Sequence, residues 1–117
     1  MASMASMTVN NPQFQPGFED VDTSVRGVVS LSGALDLVNE PYHAVFFCKK
    51  VANLDKVDMD FLNQHSPSAL VPKTKNLVPF LLIAGERDSL TECKMSKAIK
   101  VAFDEGKLIN IQTSCII

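Results

Sequence analysis

A continuous apolar run near the carboxyl end is the feature that most constrains the fold of this chain of 117 residues. Residues 78–84 read Val-Pro-Phe-Leu-Leu-Ile-Ala, and Gly85 follows with a charged tip that ends at Asp88. Uninterrupted apolar residues are typical of strands that are buried on both faces of a parallel sheet. In such sheets, functional groups lie in the loops beyond the carboxyl ends of the strands. The run therefore predicts a buried parallel strand that delivers a candidate functional carboxylate.

Length, charge and hydropathy predict one globular domain and exclude several classes of partner. The chain is long enough for a modest core, and 46% of its residues are hydrophobic. A formal net charge of −2 without a long basic run argues against a nucleic-acid surface. No apolar run reaches the length of a membrane span, and the amino end lacks the basic region and apolar core of a secretory signal. We therefore expect a cytoplasmic location, no nucleic-acid partner and no membrane span.

Three widely spaced cysteines, Cys48, Cys93 and Cys115, predict reduced thiols rather than a disulfide framework. No CxxC pair suggests a metal site. A nucleophilic role for Cys48 with His43 is conceivable, but a separation of five residues is a poor match to one helix face. Cys48 also follows two phenylalanines, which favours a buried, inert thiol.

The pattern along the chain predicts helices that alternate with strands. Helices are predicted over residues 2–9, 42–51, 55–64 and 91–105, and strands over residues 25–31, 77–84 and 108–111, the first two of them buried. Gly106 stands where a glycine commonly ends a helix. The order of elements implies parallel pairing through right-handed crossovers. We therefore predict an α/β fold in which helices flank a mostly parallel sheet of about three strands.

Two interpretations of Asp88 are open from its position. A carboxylate beyond an apolar strand can accept a hydrogen bond from a histidine and hold its tautomer, which is the third role in a Ser-His-acid triad. Asp88 also precedes Ser89 and a long predicted helix, where aspartate is a favoured N-cap. Position alone favours the cap.

Three parts of the chain, in this order, resemble esterases and lipases of the α/β-hydrolase superfamily. The first is Asn-Pro-Gln-Phe-Gln-Pro-Gly-Phe-Glu-Asp-Val-Asp-Thr-Ser-Val at residues 11–25, with a strand and Ser-Gly-Ala-Leu-Asp at residues 32–36 after it. The second is His-Ser-Pro at residues 65–67. The third is Pro-Phe-Leu-Leu-Ile-Ala-Gly-Glu-Arg-Asp-Ser-Leu at residues 79–90, which is similar to the family's strand and acid loop. The resemblance implies a partial α/β-hydrolase fold, the carboxyl-terminal half of a carboxylesterase-like enzyme.

The resemblance also implies boundaries and one site residue. It makes residues 1–117 a single partial domain, in which residues 1–9 are the remainder of the nucleophile helix. Residues 107–117 are a divergent or truncated tail, because the likeness to the family stops near Leu108. Asp88 aligns with the triad acid, although the two residues Thr-Glu soon after it depart from the family's Val-Pro.

The other two triad members are missing from their family positions. The G-x-S-x-G turn that presents a nucleophilic serine does not occur, and we interpret Ser32 as a strand-end residue. The tail after the third predicted strand contains no histidine, and His43 and His65 precede Asp88, against the family order of serine, acid and histidine. We predict a turn residue at His65 and a helix-start or partly exposed side chain at His43.

These observations leave three hypotheses. The resemblance implies a fragment of a serine-dependent hydrolase of small-molecule carboxylic esters, without a cofactor, which is inactive alone because its serine and histidine are missing. The chain could instead be a truncated, non-catalytic α/β protein that binds or regulates a partner, with self-association through exposed sheet edges. The last hypothesis is a free-standing α/β binding domain whose likeness to hydrolases is accidental.

Overall fold

The computed structural model describes residues 1–105 and 111–116, in which helices pack against a small parallel sheet. In chain order the elements are α1 (Ala2–Met7), β1 (Val28–Leu31), α2 (Pro41–Phe46), α3 (Met59–His65), α4 (Pro67–Leu70), β2 (Phe80–Gly85), α5 (Cys93–Glu105) and β3 (Ile111–Ile116). A π-helical turn, Phe47–Val51, extends α2, and short 3-10 turns occupy Pro12–Phe14 and Val71–Lys73. The strands pair in parallel in the order β1-β2-β3. The predicted α/β class with parallel pairing is confirmed.

The predicted helices are present, with boundaries set by local hydrogen bonds. The first helix ends at Met7, because the hydroxyl of Thr8 donates to the carbonyl of Met4 and the chain turns at Asn10, whose φ is 52°. The third begins at Met59 because the carboxylate of Asp58 accepts the N–H of Phe61 at 3.0 Å, as an N-cap does. His65, predicted as a turn residue, is instead the last residue of α3, and the one-turn helix α4 follows it. The predicted stop at residue 106 lies outside the described residues.

All three strands begin later than predicted. The first ladder bond joins the N–H of Val28 to the carbonyl of Pro79 at 2.9 Å, so Val25 precedes the sheet and is 39% exposed. The third strand was predicted over residues 108–111 and runs over Ile111–Ile116, and residues 106–110 lie outside the described part of the chain.

One face of the sheet is packed into a hydrophobic core. Its buried members come from β1 and the segment after it, from the 3-10 turn before β2, from β2 and from α5: Val28, Leu35, Val71, Phe80, Leu82 and Ile99. A second, smaller cluster joins the segment after β1 to the helices α2 and α3: Leu37, Ala44, Cys48 and Leu62. The buried apolar run of the sequence therefore anchors the first cluster, through alternate residues of β2.

The opposite face of the sheet is apolar but uncovered. Val29 and Leu31 are 59% and 68% exposed, and their register partners Leu81 and Ile83 are only partly buried. The prediction that the first strand is buried is therefore wrong for this face. Parallel sheets occur with both faces covered, so an apolar face without a layer over it is unusual. The described residues supply one covering layer and not the other.

Buried polar groups tie the segment after β1 to the start of α4. The hydroxyl of Ser66, which is completely buried, accepts the N–H of Leu37 at 3.0 Å and shares a hydrogen bond with the hydroxyl of Ser68. The Ser68 hydroxyl also donates to Asp36, whose carboxylate accepts the N–H and the amide group of Asn39. Residues 36–37 and 66–68, separate in the sequence, are thus joined by side-chain hydrogen bonds.

The prediction of reduced thiols holds for Cys48 and fails for Cys93. Cys93 is disulfide-bonded, so the prediction of reduced thiols is wrong for it. Cys48 is a free cysteine with no exposed surface, as predicted for an inert thiol. The side chain of Cys115 lies outside the described part of the chain.

We predict that Ser66→Ala lowers the free energy of unfolding by about 1–3 kcal/mol, because it leaves the buried N–H of Leu37 without a partner. Urea unfolding followed by circular dichroism measures the change. Ser89→Ala is the matched control, since Ser89 is exposed and accepts or donates no described hydrogen bond. Equal stability of the two variants would contradict the role assigned to Ser66.

Candidate active site

Asp88 lies in the loop between β2 and α5, at the carboxyl edge of the sheet. Its N–H donates to the carbonyl of Gly85 at 3.2 Å, which closes a tight turn at the end of the strand. The tip residues Glu86 and Arg87 project into solvent, while Asp88 is half-buried. The sheet therefore presents this carboxylate where parallel α/β folds place their functional groups.

Local hydrogen bonds hold both oxygens of the Asp88 carboxylate. Oδ1 accepts the N–H groups of Leu90 and Thr91 at 3.0 and 2.9 Å, and Oδ2 accepts the Thr91 hydroxyl at 2.6 Å. These bonds to residues two and three positions ahead hold a local turn in the loop. The predicted helix N-cap at Asp88 is wrong, because α5 begins only at Cys93.

The same donors keep Asp88 ionised. The hydroxyl of Thr91 lowers the pKa of Asp88 most, followed by the N–H groups of Thr91 and Leu90 and by a hydrogen bond from the Ser32 hydroxyl. A carboxylate has about four lone-pair sites, and the hydrogen bonds from Leu90 and Thr91 occupy three of them. A lone-pair site is therefore left for a further donor such as a histidine N–H.

Ser32 reaches Asp88 from the neighbouring strand. It follows the last residue of β1, its N–H donates to the carbonyl of Ile83 at 2.8 Å, and its φ of 47° lies in the left-handed region. Ser32 is thus a strand-end residue, as predicted, but its contact with the carboxylate was not. The signal was present in the sequence, because the residues after two neighbouring parallel strands meet at one edge of the sheet.

Gly33 permits the turn that brings Ser32 to this edge. A Cβ atom at position 33 would lie 2.3 Å from the hydroxyl oxygen of Ser30 and 3.2 Å from the side chain of Leu35. A side chain at position 33 would therefore force the Ser30 hydroxyl and the Leu35 side chain to move.

Neither histidine hydrogen bonds to Asp88 in the described structure. His65 is the last residue of α3, and its Nδ1 lies 2.7 Å from the carbonyl of Phe61, on whose ring it stacks. His43 is the third residue of α2, a helix-start position as predicted, but it is buried rather than partly exposed. Both of its ring nitrogens are buried without a hydrogen-bond partner among the described residues. The structure therefore supports no histidine-carboxylate pair within residues 1–105.

The loop that carries the first family-like segment is held together by its own polar side chains. The amide nitrogen of Gln15, a buried residue, donates to the carbonyls of Phe18 and Val21 at 2.6 and 3.1 Å, and its oxygen accepts the Thr23 hydroxyl. Thr23 in turn exchanges hydrogen bonds with Asn10. The polar residues of this segment fix a loop and do not approach Asp88 through any described hydrogen bond.

Three esterases of Mycobacterium tuberculosis match the chain in sequence. Esterase LipQ is 32% identical over 111 residues, which are 91% of this chain and 26% of LipQ. Esterase LipC is 30% identical over 103 residues, 84% of this chain and 26% of LipC. The probable carboxylic ester hydrolase LipM is 25% identical over 101 residues, 83% of this chain and 23% of LipM. The chain is similar to part of an esterase.

The three matches confirm the resemblance to carboxylic ester hydrolases. The chain spans about a quarter of the length of the relatives it matches. No protein-family model matches it. Among the described helices, none combines the length and apolarity needed to cross a bilayer, and the described side chains contain no cluster of three metal-ligating groups.

We predict that Asp88→Asn destabilises the protein at neutral pH and that this loss of stability is smaller at acidic pH. The folded-state pKa of Asp88 is lowered, so the carboxylate stabilises the fold above its unfolded pKa of about 3.9 and loses this contribution as the pH falls below it. The difference in melting temperature between the native chain and the variant is therefore larger at pH 7 than at pH 3.

Thermal melts at the two pH values measure this difference. Asp20→Asn is the control, because Asp20 is exposed and its carboxylate accepts no described hydrogen bond. A difference for Asp88→Asn that stays constant between pH 7 and pH 3 would show that its carboxylate is not held as described.

Proposed function

We propose that the chain is a fragment of a serine-dependent carboxylic-ester hydrolase with a partial α/β-hydrolase fold over residues 1–117, and that Asp88 is the acid of its catalytic triad. The observation that carries the proposal is the carboxylate of Asp88, held by Leu90 and Thr91 at the carboxyl edge of a parallel sheet. The similarity to three esterases supports the same reaction class. In this proposal α1 is the remainder of the nucleophile helix and residues 107–117 are a divergent tail.

In the intact enzyme the three triad members divide the chemistry between them. The serine oxygen attacks the ester carbonyl, and histidine accepts the serine proton and passes it to the leaving alcohol. Water then attacks the resulting acyl-enzyme by the same steps and releases the acid. Asp88 accepts the other N–H of that histidine, holds its tautomer and stabilises the imidazolium. The serine and the histidine come from outside this chain, so the chain alone hydrolyses no ester and needs no cofactor for its part.

A chimeric enzyme tests the role of Asp88. We expect esterase LipQ, with this chain in place of the segment it matches, to hydrolyse p-nitrophenyl butyrate. Asp88→Asn in the chimera should lower kcat by about 10⁴-fold, the effect of the same change in the acid of a serine triad. Glu86→Gln, which removes a charge from the exposed tip of the same loop, should change kcat less than about twofold.

Two outcomes would contradict the proposal. One is full activity of the Asp88→Asn chimera. The other is turnover of p-nitrophenyl butyrate by the isolated chain that Asp88→Asn abolishes, since the chain would then hold a complete catalytic site of its own.

A second function, a non-catalytic protein that binds or regulates a partner, is favoured by the uncovered sheet. Val29 and Leu31 expose apolar side chains on one face of β1. The N–H groups of Val28 and Ser32 point to β2, so those of Val29 and Leu31 point outwards, where no described hydrogen bond reaches them. An apolar edge strand with free N–H groups is a template for association with another strand.

We predict that the isolated chain self-associates through this edge. Sedimentation velocity at micromolar concentrations should show dimers or larger species. Leu31→Lys should shift the population to monomer, because a charged side chain on an edge strand opposes pairing. Val101→Lys is the control, since Val101 is a similarly exposed residue on α5, away from the edge. A monomeric native chain would contradict self-association. Equal effects of the two variants would show that the chains do not associate through the edge of β1.

A further inference from the structure

A cavity of about 220 Å³ lies between α2 and the loop that carries Asp88. Its walls are almost wholly apolar, and they include side chains of Leu37, Phe46, Phe47 and Leu90. No lysine, arginine, aspartate or glutamate is among its lining residues in the described chain. An apolar cavity with uncharged walls selects a neutral ligand, because burying an unpaired charge is very costly.

One side chain connects this cavity to the candidate active site. Thr91 lines the cavity, and its hydroxyl donates to Oδ2 of Asp88 at 2.6 Å. The cavity therefore begins directly behind the loop whose carboxylate is the proposed triad acid. A ligand that fills it would hold its polar end near the carboxyl edge of the sheet.

The volume of the cavity limits the size of the ligand. An apolar cavity of about 150 Å³ in a protein core holds one benzene molecule. A cavity of 220 Å³ accordingly accepts one aromatic ring with a small substituent, or an aliphatic chain of about six to eight carbon atoms. A larger group would extend past the cavity towards solvent, since Tyr42, Phe46 and Leu90 on its walls are exposed.

His43 supplies the polar contact that the ligand would satisfy. Its ring lines the cavity, the residue is only 9% exposed, and both nitrogens lack a partner among the described residues. A buried polar group without a hydrogen bond is rare and costly, and it indicates that a partner is missing. Both nitrogens are buried, so contact with a ligand in the cavity would require the ring to turn about its Cβ–Cγ bond, a soft torsion in histidine.

We propose that this cavity binds the apolar acyl group of a small neutral ester, of about the size of a benzoyl group, and that the ring N–H of His43 donates to an ester oxygen. An ester suits the site because it accepts hydrogen bonds and carries no charge. The inference rests on the proposed function only in naming the ligand a substrate, since binding to the cavity requires no serine and no turnover.

Ligand-observed NMR titrations of the isolated chain test the cavity with methyl benzoate as the probe. We expect saturable binding with a Kd of about 1 mM or below, which suits a ligand of this size. Ala34→Trp and Leu90→Trp, at two positions that line the cavity, should each weaken binding at least about tenfold by filling it. Ala5→Trp, at an exposed position away from the cavity, should leave Kd unchanged. No saturable binding, or equal binding by all three variants with unchanged melts, would overturn the proposal.

Ethylbenzene distinguishes the hydrogen bond of His43 from the packing of the ring in the cavity, because it has a similar ring and no ester group to accept a hydrogen bond. His43→Phe should weaken methyl benzoate about fivefold, the usual loss for one hydrogen bond, and change ethylbenzene less than about twofold. Equal effects on the two probes would overturn the role of His43.

The outcomes for the cavity and for the triad are independent. An inactive chimera whose isolated chain still binds methyl benzoate would refute only the proposed function. An active chimera whose isolated chain binds neither probe would refute only the cavity.

Discussion

The parallel pairing of β1 with β2 is the interaction on which the rest of the structure depends. Its register places Leu31 beside Ile83, so both strands end at the same edge of the sheet. The last bond of the ladder, from the N–H of Ser32 to the carbonyl of Ile83, fixes the turn that brings the Ser32 hydroxyl to Asp88. A shift of one residue would move every side chain of β1 to the other face. Core, edge and candidate site are therefore set by one register.

One face of this sheet is packed against a core, and the other face is exposed to solvent. Phe80 and Leu82 lie in a core that α5 closes through Ile99, whereas Val29 and Leu31 face solvent. Strands of this composition, apolar at consecutive positions, are stable in parallel sheets with layers on both faces. The chain spans about a quarter of the length of its esterase relatives. The uncovered face supports the proposal that another layer, from the same protein or from a partner, belongs over it.

Much of the fold could be predicted from the sequence, because apolar periodicity and cap residues act locally. The run at residues 78–84 predicts β2, and the apolar spacing after residue 91 predicts α5. The exposure of one face of β1 could not be predicted, since the same apolar sequence is compatible with a strand that is covered on one face or on both. The bond between Ser66 and Leu37 also escaped prediction, because it joins residues 29 positions apart through tertiary packing.

The candidate site was predictable in its residue but not in its geometry. The position of Asp88 after an apolar strand left helix cap and triad acid as alternatives, and the structure places Asp88 in a turn that ends before the helix begins at Cys93. Three of its donors come from Leu90 and Thr91 in its own loop, so the carboxylate is oriented and ionised without any histidine. A histidine N–H that approached Asp88 would meet a carboxylate whose orientation is already fixed by its own loop. Such preorganisation is what the proposed role of Asp88 as a triad acid would require.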